Sequence, residues 1–90
     1  MQYKDKKSYF IKTVGELLKE IRTSRTNVSL SKFSDEYDLG KSSISRIERG
    51  FYSIELITAW KIIEALGIDF AEFSQLLKDK LGEDFKLIDE

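Results

Sequence analysis

Apolar side chains return every three or four positions along almost the whole of this chain, and no proline interrupts them. An α-helix places residues i, i+3, i+4 and i+7 on one face, so this spacing demands amphipathic helices packed on a shared core. Strand-like alternation is not sustained anywhere. Five glycines stand at positions 15, 40, 50, 67 and 82. The last four fall where the apolar spacing lapses, and they mark breaks between elements.

The spacing predicts five helices. The first runs from about 10 to 24, with Phe10, Val14, Leu17, Leu18 and Ile21 on one face. After a loop at Thr26-Asn27-Val28, Ser29 is placed to cap a second helix carrying Leu30, Phe33 and Tyr37. Asp38-Leu39-Gly40 breaks it. A third helix spans about 41 to 49 and has only Ile44 and Ile47 as an apolar stripe, and Gly50 stops it. The fourth covers about 54 to 66, with Leu56, Trp60, Ile63 and Leu66 expected on the buried face. Asp69 and Glu72 open the fifth, which runs to about Leu81 and ends at Gly82. The expected organisation is a flexible basic arm over 1–9, a helical domain over 10–82 and a tail over 83–90.

Length and composition narrow the function. Ninety residues make one domain, with 41% hydrophobic residues to build one modest core. There is no Cys and no His, which removes disulfides, thiolate metal sites, the commonest general base and the commonest metal ligand. An enzyme is not expected, nor a metal, cofactor or small-molecule substrate. No apolar run approaches the roughly 20 residues of a membrane helix, and residues 1–7 lack the apolar stretch of a signal peptide. The expected location is cytoplasmic.

The net charge of −1 hides a polarity. Residues 1–25 carry a net +4, residues 26–50 are balanced, and residues 51–90 carry a net −5. A basic front and an acidic back suit a protein that turns one face to phosphates, although acidic solvated helices are common in any case.

The segment from Ser29 to Gly50 carries the functional argument. A helix held by two isoleucines must lie on the surface. At 100° per residue the side opposite Ile44 and Ile47 carries Ser42, Ser45, Arg46 and Arg49, and Lys41 projects from the first turn. A major groove admits a helix, and such cations read guanine edges or hold phosphates while small hydroxyls permit close approach. A plain solvated face is the competing account.

The run Ser42-Ser43-Ile44-Ser45-Arg46-Ile47-Glu48-Arg49-Gly50 resembles the recognition-helix signature of the Cro/XRE family of helix-turn-helix regulators. Ala65-Leu66-Gly67-Ile68 and Phe73 follow it at the family's distance, and Leu17 and Ile21-Arg22 precede it. A narrower likeness, around Asn27 and Val28-Ser29, is to the Rgg-like subgroup. The resemblance implies an all-α, compact five-helix repressor-like bundle with a short C-terminal extension. It implies sequence-specific binding of double-stranded DNA, at an inverted-repeat operator, by a dimeric transcription regulator acting as a repressor. An antitoxin that grips a toxin as well as DNA is the alternative.

By the same resemblance, Lys41, Ser42 and Arg46 sit where the family contacts bases. Ser43 sits where the family contacts phosphate, and Arg22 and Glu48 sit where helix 1 is paired with the end of the recognition helix. Independently of the resemblance, Ser29, Ser45, Arg49 and Tyr52 are also assigned to the DNA backbone. Departures are Leu30 for the usual Gln, Ser34 and Asp38 for Ala and Gly, Gly40 for a Ser/Thr cap, Ile54 for Pro, and Phe51-Tyr52 in the loop, where Phe51 is either a buried anchor, the preferred reading, or a partner contact. Leu77, Leu81, Phe85 and Ile88 exceed what so small a core should use; the tail's apolar residues either fold back onto the core or form a dimer interface, and the dimer interface is the expectation. Lys4, Lys6 and Lys7 form either an arm onto DNA or a solubilising terminus, the second being preferred.

Overall fold

The computed structural model describes residues 5–25, 29–37, 39–51 and 53–88 and contains five helices: α1 (Lys6–Arg25), α2 (Leu30–Glu36), α3 (Lys41–Glu48), α4 (Leu56–Ala65) and α5 (Phe70–Leu81). The all-α, five-helix expectation holds. α1 is the central support. Val14, Leu17, Leu18 and Ile21 are buried along it, and it packs against both α3 and α5. Phe33 from α2, Ile44 and Ile47 from α3, Ile62 and Ile63 from α4, and Phe73 from α5 complete the core.

Local signals set most helix ends. The Ser29 hydroxyl accepts the Lys32 N–H at 3.2 Å, satisfying one orphan donor of α2. Asp69 does the same for α5, accepting from Ala71 at 3.4 Å. Glu72 does not return a capping-box bond; it pairs instead with Arg25 of α1 at 3.0 Å. Gly50, Gly67 and Gly82 take positive φ (76°, 80° and 97°) within two residues of the ends of α3, α4 and α5. Each helix thus ends in a conformation that side-chain-bearing residues rarely adopt.

α1 begins at Lys6, four residues before the apolar stripe does, so the basic segment over 6–9 is helical. The cause is a polar cap. Asp5 Oδ1 accepts the Ser8 N–H at 2.7 Å, and this bond holds the Asp5 carboxyl below the usual aspartate range. Lys4 and the rest of the expected arm lie outside the described residues, as do the 26–28 loop and Asp38.

α4 is rolled relative to expectation. Its buried face is Ala59, Ile62 and Ile63, continued by Leu66, whereas Leu56 and Trp60 are exposed. Leu56, Ile57, Ala59, Trp60, Ile62, Ile63 and Ala65 surround nearly the whole helix, so spacing alone admits several buried stripes. Packing against α5 selects one of them, and Trp60 lies outside it, stacked on Phe70 at 4.8 Å.

The tail folds back. After Gly82, Phe85 lies against Tyr9 and Phe10 of α1, at ring distances of 5.7 and 6.1 Å. Lys80 of α5 also reaches Glu20 of α1 at 2.8 Å, which holds the lysine above its ordinary value. Among the described residues no helix is long and apolar enough to cross a membrane.

Candidate nucleic-acid interface

α2 and α3 form a bihelical unit joined by a short turn. The Leu39 N–H donates to the Ser34 carbonyl at 2.7 Å, closing the turn onto the end of α2. Ser34 is fully buried where a small apolar residue was expected. Its hydroxyl donates to the Leu30 carbonyl at 2.8 Å, so no polar group is stranded. Gly40 stands at the N-cap of α3 and supplies no side-chain cap, and this departure leaves the first-turn amides of α3 without one.

Three contacts fix α3. Ile44 and Ile47 are sunk in the core. Glu48, also buried, accepts two bonds from the Arg22 guanidinium: Nε to Oε2 at 2.7 Å and Nη2 to Oε1 at 3.1 Å. This fork-to-fork geometry is the strong form of a charged hydrogen bond. It also neutralises the single carboxylate of α3, so the helix's remaining charges are cationic.

The sequence reading missed the third contact. A side chain at Gly15, in the middle of α1, would overlap the backbone carbonyl oxygen of Ile47 and crowd that of Glu48 at 2.9 Å. Only glycine lets α1 lie this close to the end of α3. A glycine inside an otherwise continuous helical pattern is the one available hint, because it costs about 1 kcal/mol against alanine and calls for a packing reason.

With its inner side held, α3 turns Lys41, Ser42, Ser43, Arg46 and Arg49 outward, all exposed, with Ser45 half-buried at the flank. Ser29 is exposed beside this surface, its oxygen engaged as the α2 cap. Tyr52 lies outside the described residues. Phe51 is not the buried anchor expected. Its N–H donates to the Arg46 carbonyl at 2.9 Å, which turns the chain outward after α3, and its exposed ring lies 4.7 Å below the Arg49 guanidinium. The stack restrains a long cation at the end of α3.

The four residues expected at a dimer contact are spread out. Leu77 packs on the core, Phe85 is stacked on α1, Leu81 is half-buried and Ile88 is exposed.

The helix-turn-helix family model matches residues 18–73, which contain α2, α3 and α4 entire. The chain is 37% identical over 65 residues to control protein C.BamHI of Bacillus amyloliquefaciens, covering 69% of this chain and 80% of that protein. It is 35% identical over 66 residues to control protein C.MunI of Mycoplasma sp, covering 72% and 89%. A bihelical unit whose second helix presents cations from a fixed seat, matched over more than half the chain by this model, places the protein in the Cro/XRE-type helix-turn-helix family of DNA-binding transcription regulators.

Proposed function

We propose that the protein binds a two-fold symmetric operator as a homodimer and represses transcription there, with α3 in the major groove. Arg46, Ser42 and Lys41 read base edges, and Ser29, Ser43, Ser45, Arg49 and Tyr52 hold the backbone. The observation that carries this reading is the seat of α3. Its inner side is locked by Ile44, Ile47 and the Arg22–Glu48 bridge, and its outer side offers hydroxyls and cations with no competing carboxylate. One eight-residue helix reads only a few base pairs, so a symmetric pair of helices about one DNA turn apart is the economical way to specify a site.

The test begins with duplexes selected by the wild-type protein from a random pool. Arg46→Ala is expected to lose about 1–3 kcal/mol on the selected site and much less on random DNA. Equal losses on both would reassign Arg46 to the phosphates. A selected site without inverted symmetry would sink the dimeric reading.

A further inference from the structure

The chain leaves α3 through a paired turn. The Gly50 N–H donates to the Ile47 carbonyl at 3.0 Å and the Phe51 N–H to the Arg46 carbonyl at 2.9 Å. In such a glycine-terminated exit, the residue after the glycine usually rests an apolar side chain on the residue five or six positions before it. Here those positions are Arg46 and Ser45, so the Phe51 ring finds no apolar bed and stays 64% exposed. The loop is pinned on both sides of it. A side chain at Gly50 would meet the Cα of Lys12 at 3.0 Å, so the chain there is pressed against α1, and Ile54 packs on the core.

A single exposed aromatic residue needs no explanation, but the place of this one does. The Arg49 guanidinium stands over the ring, 4.7 Å from its centroid. Ser42, Arg46 and Arg49 are spaced i, i+4 and i+7, so Arg49 completes the outward stripe of α3. Among the described residues no carboxylate pairs with Arg49.

We infer that Phe51 is a positioning residue for DNA binding, whose ring holds the Arg49 guanidinium ready for a backbone phosphate. The inference rests on the assignment of Arg49 to the DNA backbone above. A guanidinium carries its five donors in its own plane, so a ring against its face engages none of them. They remain available for a two-pronged bond to phosphate oxygens. A carboxylate would also hold the arginine, but it would cancel the charge that the phosphate needs. The ring brings neither charge nor hydrogen-bonding group, so it restrains without competing. An unrestrained surface arginine spreads over many rotamers, and affinity falls with the fraction that is competent to bind. A cation–π contact of exposed strength changes that fraction by about 2- to 5-fold, which compounds to about 5- to 30-fold where two subunits grip one site.

The experiment is a double-mutant cycle on the duplex that the wild-type protein selects from a random pool, with dissociation constants measured at several salt concentrations. Phe51→Leu keeps an apolar side chain and removes the ring. It is expected to weaken binding about 5- to 30-fold with unchanged helical circular dichroism, because the ring is not part of the core. Phe51→Tyr restores a ring and is expected to bind as tightly as the wild type. Arg49→Gln should weaken binding by itself, and adding Phe51→Leu to it should cost no more than about 2-fold further, the limit of additive behaviour. An equal loss from Phe51→Leu in both backgrounds overturns the inference, because the ring would then act on the DNA without Arg49. Wild-type affinity in Phe51→Leu beside a weakened Arg49→Gln also overturns it, and leaves Arg49 on the backbone. Wild-type affinity and salt slope in Arg49→Gln remove Arg49 from the phosphates, and the inference falls with that reading.

Discussion

Arg22 and Glu48 form the most deeply buried ion pair among the described residues. Both are buried, and their bond spans 26 positions of sequence to tie α1 to the end of α3. Removing one partner strands the other charge away from water, which costs about 3–5 kcal/mol, whereas replacing both with apolar residues of similar shape costs much less. A double-mutant cycle read by denaturant unfolding should therefore give a coupling above about 1 kcal/mol, the ceiling for exposed pairs. Zero coupling would make them independent. Gly15 sits at the same junction. Alanine there would gain about 1 kcal/mol of helix propensity, but its methyl overlaps a backbone carbonyl that cannot rotate away. The clash wins. Gly15→Ala should destabilise by about 1–3 kcal/mol and lower the melting temperature by several degrees. A variant that melts higher than wild type would show that α1 and α3 can part at no cost.

α3 shows how little holds a recognition helix in place. Eight residues cannot sustain a helix alone in water, so its order is borrowed from the groove between α1 and α2. Ile44→Ala or Ile47→Ala is expected to cost about 2–5 kcal/mol, a large part of the 5–15 kcal/mol that a domain holds in total. Thermal unfolding checks this, and a melting temperature within a degree of wild type would mean that α3 is seated by something else. At the other end of α3, Gly50 with φ 76° and the Arg49–Phe51 stack convert a helix terminus into a fixed exit for the chain. α4 is the contrasting element. It is apolar on nearly every side, so it serves the core with one face and leaves another to the solvent.

The whole molecule is polarised. The exposed cations Lys41, Arg46 and Arg49 lie on α3 and at its end, while the excess of carboxylates lies mostly in the tail after Gly82. Two of the remaining cations are engaged in surface ion pairs between α1 and α5, Arg25 with Glu72 and Lys80 with Glu20. Binding to DNA should accordingly weaken steeply with salt, because each phosphate contact releases condensed counterions. Arg49, assigned here to the backbone, gives a measure of stoichiometry. Losing one phosphate contact lowers the slope of log K against log salt by about 1, so Arg49→Gln in a symmetric dimer should lower it by about 2. A change near 1 would indicate that a single subunit engages the site, and no change would remove Arg49 from the phosphates.

Much of this was legible in the residues themselves, for a physical reason. A helix with a narrow apolar stripe has one way to be buried, so Ile44 and Ile47 were enough to say which side of α3 faces out. Caps and stops are equally local: Ser29, Asp69, Gly50, Gly67 and Gly82 act through bonds and dihedral angles within a few residues of themselves. What the sequence left open depends on neighbours distant along the chain. The roll of α4 had several solutions until α5 selected one. The surplus apolar residues of the tail found α1 through Phe85, and the need for glycine at position 15 exists only because the end of α3 arrives beside it. Periodicity describes a helix relative to its own axis, and only tertiary packing decides which side of that axis meets the core, a partner or water.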